Sequence, residues 1–136
     1  MARKIRLGFI GTGGIAKNAH MTSLKNIEDI ELVAVSDINR ETAQAASDMF
    51  EGKPKVYTDY KEMLKNEKLD AVEVCTPNLY HKQPSIDALN AGLHVIVEKP
   101  IAMSAKEAQA MCQAARKNER KLMVAQCQRF RPDVQL

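Results

Sequence analysis

Tryptophan is absent from this 136-residue chain, and only three tyrosines and three phenylalanines occur. A platform that stacks nucleic-acid bases is built from aromatic side chains, and there is little material for one here. Charge of one sign is lacking too. Twenty Lys and Arg stand against 17 Asp and Glu, for a formal net charge of +3, and the basic residues are spread along the chain instead of forming a block. No nucleic-acid partner follows from that balance. No apolar run is long enough to span a bilayer, and the first one leads straight into glycines, so neither a membrane span nor a secretory leader is expected. Cysteine is scarce and odd in number: Cys75, Cys112 and Cys127 lie far apart, each inside a predicted strand or helix, and read as small buried hydrophobes. Neither they nor His20, His81 and His94 supply the close pair of ligands that a metal site wants, so no metal is expected. The expected compartment is the reducing cytoplasm. Repeats, low-complexity tracts and Gly/Ser linkers are missing as well, which leaves one domain large enough to build a core without disulfides or metals.

What is present begins at the N-terminus. The run Lys4-Ile5-Arg6-Leu7-Gly8-Phe9-Ile10 leads directly into Gly11-Thr12-Gly13-Gly14-Ile15-Ala16, a strand joined to a Gly-x-Gly-x-x-Ala turn that opens a helix. Backbone N–H groups at such a turn point to one spot, where the positive end of the helix dipole also lies, and a pyrophosphate fits there. Gly11 makes the tight turn, Gly13 admits the phosphates without a Cβ in the way, and Ala16 lets helix and strand pack closely. A second buried strand, Glu31 to Ser36, ends in Asp37. The dinucleotide fingerprint places an acid about 20 residues beyond the glycines, where it accepts hydrogen bonds from the adenosine ribose hydroxyls. The other reading of Asp37 and Asn39 is that they cap the helix that follows.

Short apolar runs alternate with helical patterns, the mark of an α/β doubly wound parallel sheet, or Rossmann fold. Six strands are predicted, near Ile5–Ile10, Glu31–Ser36, Lys55–Tyr57, Ala71–Thr76, His94–Glu98 and Leu122–Cys127. Helices are predicted after the glycine turn, at Glu41–Met49, Tyr60–Asn66 and Ile86–Asn90, the last starting near Pro84 and stopping at Gly92. A further helix follows a capping box made by Ser104 and Glu107. The expected strand order is 3-2-1-4-5-6, with residues 1–128 as the dinucleotide-binding unit and 129–136 starting a connection to a domain that the chain lacks.

Ligands of open parallel sheets sit beyond the carboxyl ends of the strands, where the strand order reverses. The glycine turn, Thr76-Pro77-Asn78 and Glu98-Lys99-Pro100 converge there. Thr76 and Asn78 can hydrogen-bond a ribose or carboxamide, Pro77 offers a flat apolar face to a nicotinamide, and Lys99 can exchange a proton with a substrate hydroxyl while hydride leaves the same carbon. Against this stands the reading that Thr-Pro and Lys-Pro pairs merely end strands.

Together these residues resemble the glucose–fructose oxidoreductase, inositol dehydrogenase and MocA family, over the whole chain. The likeness rests on Gly11-Thr12-Gly13-Gly14-Ile15-Ala16, on Asp37, on Thr76-Pro77-Asn78 with His81, on Ala91-Gly92 before His94-Val95, on Glu98-Lys99-Pro100, and on Arg129-Phe130 with Pro132. It implies that Lys99 is the catalytic lysine, contacting both the substrate hydroxyl and the nicotinamide ribose, that Glu98 binds that ribose, that His81 approaches the cofactor, and that Lys99–Pro100 is cis. It also implies that Asp37 favours NAD, while nearby Arg40 leaves NADP open. The family's substrate domain, with its Asp and His pair, has no counterpart here, and His20, His81 and His94 are expected to be structural. The expected function is therefore the NAD(P)-binding domain of a dehydrogenase acting on a sugar, cyclitol or polyol, inactive on its own. The alternative is a nucleotide-binding sensor or scaffold.

Overall fold

Strands that are apolar on both faces need helices on both faces, and the computed structural model, which describes residues 3–134, shows how this chain provides them. Central strand β1 (Ile5–Ile10) lies between β2 (Ile30–Ser36) and β4 (Ala71–Val74). Beyond them β3 (Lys55–Tyr57) pairs with β2, β5 (His94–Glu98) with β4, and β6 (Leu122–Ala125) with β5. All pairs are parallel, and the six-stranded order is 3-2-1-4-5-6, as expected of a doubly wound dinucleotide-binding unit.

Side-chain alternation divides the core in two. One face carries Val72, Val74, Val95 and Val97 against Met63, Leu89 and Met111 of α3 (Tyr60–Asn66), α4 (Lys82–Asn90) and α5 (Ala105–Lys117). The other carries Leu7, Phe9, Val35 and Cys75 against Met21 and Leu24 of the first helical segment, and against Ala43 and Ala46 of α2 (Arg40–Asp48). That first segment is π-type over Ala16–Met21 and runs into α1 (Thr22–Leu24).

Caps fix the helix starts where the sequence places them. Asn39 Oδ1 accepts from Thr42 N at 3.1 Å, and Ser104 Oγ accepts from Glu107 N at 3.2 Å. The Glu107 carboxylate reaches back to Met103 N, at 3.1 Å, one residue before the position a capping box uses.

Three boundaries differ from expectation. Helix α4 begins at Lys82, not Ile86. Pro84 is its third residue, where the missing N–H has no intrahelical acceptor to lose. Strand β4 ends at Val74, although Cys75 N still donates to Ile10 O at 2.8 Å. Edge strand β6 ends at Ala125, and Cys127 belongs instead to a 3-10 turn over Cys127–Phe130. Cys127 is therefore exposed, contrary to the expectation of a buried hydrophobe, because β5, the strand that β6 pairs with, ends at Glu98 opposite Ala125. No described helix is long and apolar enough to cross a membrane.

Candidate functional site

The order reversal between β1 and β4 opens a crevice at the carboxyl ends of the strands, and the predicted site residues gather around it. Gly11, at φ +86, turns the chain out of β1, and its N–H donates to Ser36 O at 2.8 Å. A Cβ at this position would lie 2.6 Å from Thr76 N and 2.7 Å from Cys75 C, so the turn packs directly on the end of β4. At Gly13 a Cβ would meet nothing within 4 Å. The space before Gly13 is open, and the first-turn N–H groups of the helical segment that starts there have no acceptor within the helix.

Asp37 closes the turn from the β2 side. Its Oδ2 accepts from Thr12 N at 2.9 Å and from Thr12 Oγ1 at 3.2 Å, while Oδ1 accepts from Asn39 N at 3.0 Å. Asn39, not Asp37, caps α2. Thr12 is fully buried and Asp37 half-buried, so the carboxylate sits at the rim with one edge engaged by the turn. Arg40, the first residue of α2, is exposed and borders a groove with Gln44, Lys55 and Tyr57. Ile15 is half exposed beside the turn, and Ala16 is buried under it.

The opposite wall comes from β4 and β5. Pro77 and Asn78 are exposed, and Thr76 Oγ1 donates to Tyr80 O at 3.0 Å. Lys99 is exposed, its ammonium makes no hydrogen bond or ion pair among the described residues, and Lys99–Pro100 is cis. His81 lies between these two loops. The ring is fully buried, with Nδ1 2.8 Å from Pro100 O and Nε2 2.9 Å from Thr76 O. Both nitrogens are engaged, so His81 ties the Thr76 loop to the Pro100 loop and offers no ring atom to a ligand.

One cluster escaped the sequence reading. His20, on the π-type segment, places Nδ1 against Glu73 Oε1 and Nε2 2.7 Å from Glu98 Oε1. The hydrogen bond to Glu73 raises its pKa to about 9 against the opposing effect of burial, with Glu98 adding to the rise. The imidazolium thus stabilises the fold in full below its ordinary 6.5, and the contribution is lost as pH climbs through about 9. Cys75 stands beside it, its thiol held protonated by burial and then by the two nearby carboxylates. Ligand atoms of His20, Glu73 and Cys75 lie within 4.8 Å of one another, a proximity invisible in their spacing. Glu73 had one visible signal, a lone acid within Ala71-Val72-Glu73-Val74-Cys75.

A strand, an open glycine turn and an acid coupled to that turn are the parts of a dinucleotide site, and comparison with known proteins agrees. Residues 5–126 match the family model GFO_IDH_MocA, described as an oxidoreductase family with an NAD-binding Rossmann fold. The chain belongs to this family. It is 39% identical to D-glucoside 3-dehydrogenase of Escherichia coli over 96% of its own length and 37% of that protein's. With inositol 2-dehydrogenase of Salmonella typhimurium it shares 32% identity, over 88% of this chain and 35% of that one. Among solved structures, the WlbA dehydrogenase from Chromobacterium violaceum, in complex with NADH and UDP-GlcNAcA, superposes with a TM-score of 0.92 at 32% identity, covering 98% of this chain and 38% of that one. The chain thus spans little more than a third of these relatives, as the NAD-binding Rossmann domain of a Gfo/Idh/MocA oxidoreductase. NAD fits the residues present: the Gly13 face is clear, the first-turn N–H groups are free, and Asp37 stands at the rim of the turn.

Proposed function

We propose that this chain is the cofactor half of a dehydrogenase that oxidises a CH–OH group of a sugar, cyclitol or polyol, and that by itself it binds NAD but turns over little or nothing. The observation that carries this reading is Lys99, an exposed, unpartnered cation beside buried Glu98 at the same crevice as the glycine turn. NAD, when bound, supplies the hydride acceptor. The N–H groups of Gly13, Gly14 and Ile15 hold its pyrophosphate, and Asp37 accepts from the adenosine ribose hydroxyls while repelling a 2′-phosphate. Arg40, which opens α2 and lines the β3 groove, is the cation that leaves NADP open as a second ligand. Thr76 and Asn78 orient the carboxamide end, Pro77 backs the nicotinamide face, and Glu98 addresses the ribose beside it. Lys99 Nζ hydrogen-bonds the substrate hydroxyl and, as the neutral amine left once the ammonium has given up a proton to solvent, takes the hydroxyl proton as hydride leaves the same carbon.

Residues 1–128 form the cofactor unit, and residue 129 starts a connection toward a substrate domain; residues 135 and 136 of that connection lie outside the described residues. Met123, Phe130 and Val134 are 48, 66 and 54% exposed along β6 and the segment after it, an apolar surface suited to packing against further chain. Three free thiols fit a reducing cytoplasm. Mixed with NAD and a panel of glycosides, sugar phosphates and inositols, the 136-residue chain should form no NADH above background, whereas any longer product of the same reading frame should form it. NADH formation by the chain alone at ordinary dehydrogenase rates would overturn the division of labour proposed here.

A further inference from the structure

The helix that leaves the glycine turn and the Glu98–Lys99–Pro100 segment are far apart in sequence, and one side chain joins them. His20 Nε2 lies 2.7 Å from Glu98 Oε1, and the second carboxylate oxygen, Oε2, accepts from Lys99 N at 2.9 Å. An unbroken line of hydrogen bonds therefore runs from the first helical segment to the backbone of the residue that carries the unpartnered ammonium. On its other side the ring is held by Glu73, from the middle of β4. The three side chains are only 17, 10 and 11% exposed for His20, Glu73 and Glu98.

Two acids share this compartment, on a sheet face otherwise lined by Phe9, Met21 and Cys75. Like charges so placed need a cation between them. His20 fills that role with a proton on each nitrogen. If one proton is lost, a bare ring nitrogen faces a carboxylate oxygen, and one acid must turn away. Glu73 is fixed mid-strand, whereas Glu98 is the last residue of β5 and borders the crevice. Glu98 is the group free to move, and Lys99 N then loses its acceptor.

We propose that His20 is a positioning residue for the nicotinamide end of the crevice: shared as an imidazolium by Glu73 and Glu98, it fixes the Glu98–Lys99–Pro100 segment, and its deprotonation releases that segment. The proposal rests on the reading of this end of the crevice as the nicotinamide subsite. Among the described residues, Glu73 from β4, Glu98 from β5 and Cys75 just beyond β4 are the titratable groups that face the ring, and Lys17 is the other charged residue of its own π-type segment.

The test compares NAD with ADP, which lacks the nicotinamide riboside, by calorimetric titration of the whole chain from pH 7 to about 10, alongside an NMR titration of the His20 ring. Wild-type NAD affinity should fall about tenfold across a midpoint shared with the ring, and ADP affinity should not follow it. His20→Gln should weaken NAD about tenfold, abolish the pH step and leave ADP unchanged. Should that variant not fold, Glu73→Gln keeps His20 in place and should lower both the ring midpoint and the NAD step by about one pH unit. A wild-type NAD affinity that is flat through the ring's titration, or equal losses of NAD and ADP affinity in His20→Gln, would overturn the proposal. Wild-type binding of ADP but not of NAD at pH 7 would instead remove the nicotinamide subsite on which it rests.

Discussion

Gly11→Ala should cost the chain about 2–5 kcal/mol of stability, leaving a urea unfolding midpoint well below the wild-type value. The new methyl would sit 2.6 Å from Thr76 N and 2.7 Å from Cys75 C, both backbone atoms at the end of β4, which cannot swing aside as a side-chain tip can. The backbone at φ +86 is itself strained for any residue with a Cβ. Left-handed strain of about 1–2 kcal/mol adds to overpacking of about 1–3 kcal/mol, against a total stability of roughly 5–15 kcal/mol for an ordinary domain. Gly13→Ala provides the contrast. Its methyl meets nothing within 4 Å, so stability should stay within about 0.5 kcal/mol of wild type while NAD binding weakens, because the methyl enters the space proposed for the pyrophosphate. A Gly11→Ala chain that unfolds within about 1 kcal/mol of wild type would show that β4 can yield at Thr76.

The second large effect concerns chemistry. In a longer product of this reading frame that oxidises a sugar or cyclitol, Lys99→Ala should lower kcat by about 10²–10⁴, the range that a positioned proton acceptor contributes. The ammonium is exposed and makes no bond within the described residues, so its removal leaves nothing unpaired. Stability and NAD affinity should therefore stay within about twofold, as for other exposed substitutions. Lys99→Arg should not rescue turnover, because a guanidinium stays charged and cannot accept the substrate proton. Stopped-flow measurement of NADH formation separates the two quantities. A kcat within about threefold of wild type in Lys99→Ala would remove Lys99 from the proton transfer.

Much of this site can be read from the sequence because its parts are local. The glycine turn follows β1 directly, Asp37 follows β2, and Thr76 and Glu98 follow β4 and β5, so strand periodicity alone brings them to one edge of the sheet. The strand order likewise follows once the glycine turn and the alternation of strands and helices are read together as a dinucleotide-binding unit. What stayed hidden depends on contacts between elements. His20 and Glu98 are 78 residues apart, and no spacing rule for a helix or hairpin links them. Glu73 was visible as an acid in an apolar strand, yet its partner could be named only once the π-type segment lay over that face of the sheet. For His81 the sequence offers both a structural role and an approach to the cofactor, and it does not show the two backbone carbonyls of Thr76 and Pro100 that flank the ring. Cys127 failed for a simpler reason: an edge strand ends earlier than its apolar pattern does.

Calorimetric titration of the purified chain with NAD and with NADP, with Asp37→Ala in parallel, tests the central claim most directly. The account predicts that NAD binds more tightly than NADP, and that Asp37→Ala loses about tenfold or more in NAD affinity, the worth of hydrogen bonds to a charged group. Failure of wild type to bind either nucleotide, or an Asp37→Ala chain that binds NAD as well as wild type, would contradict it.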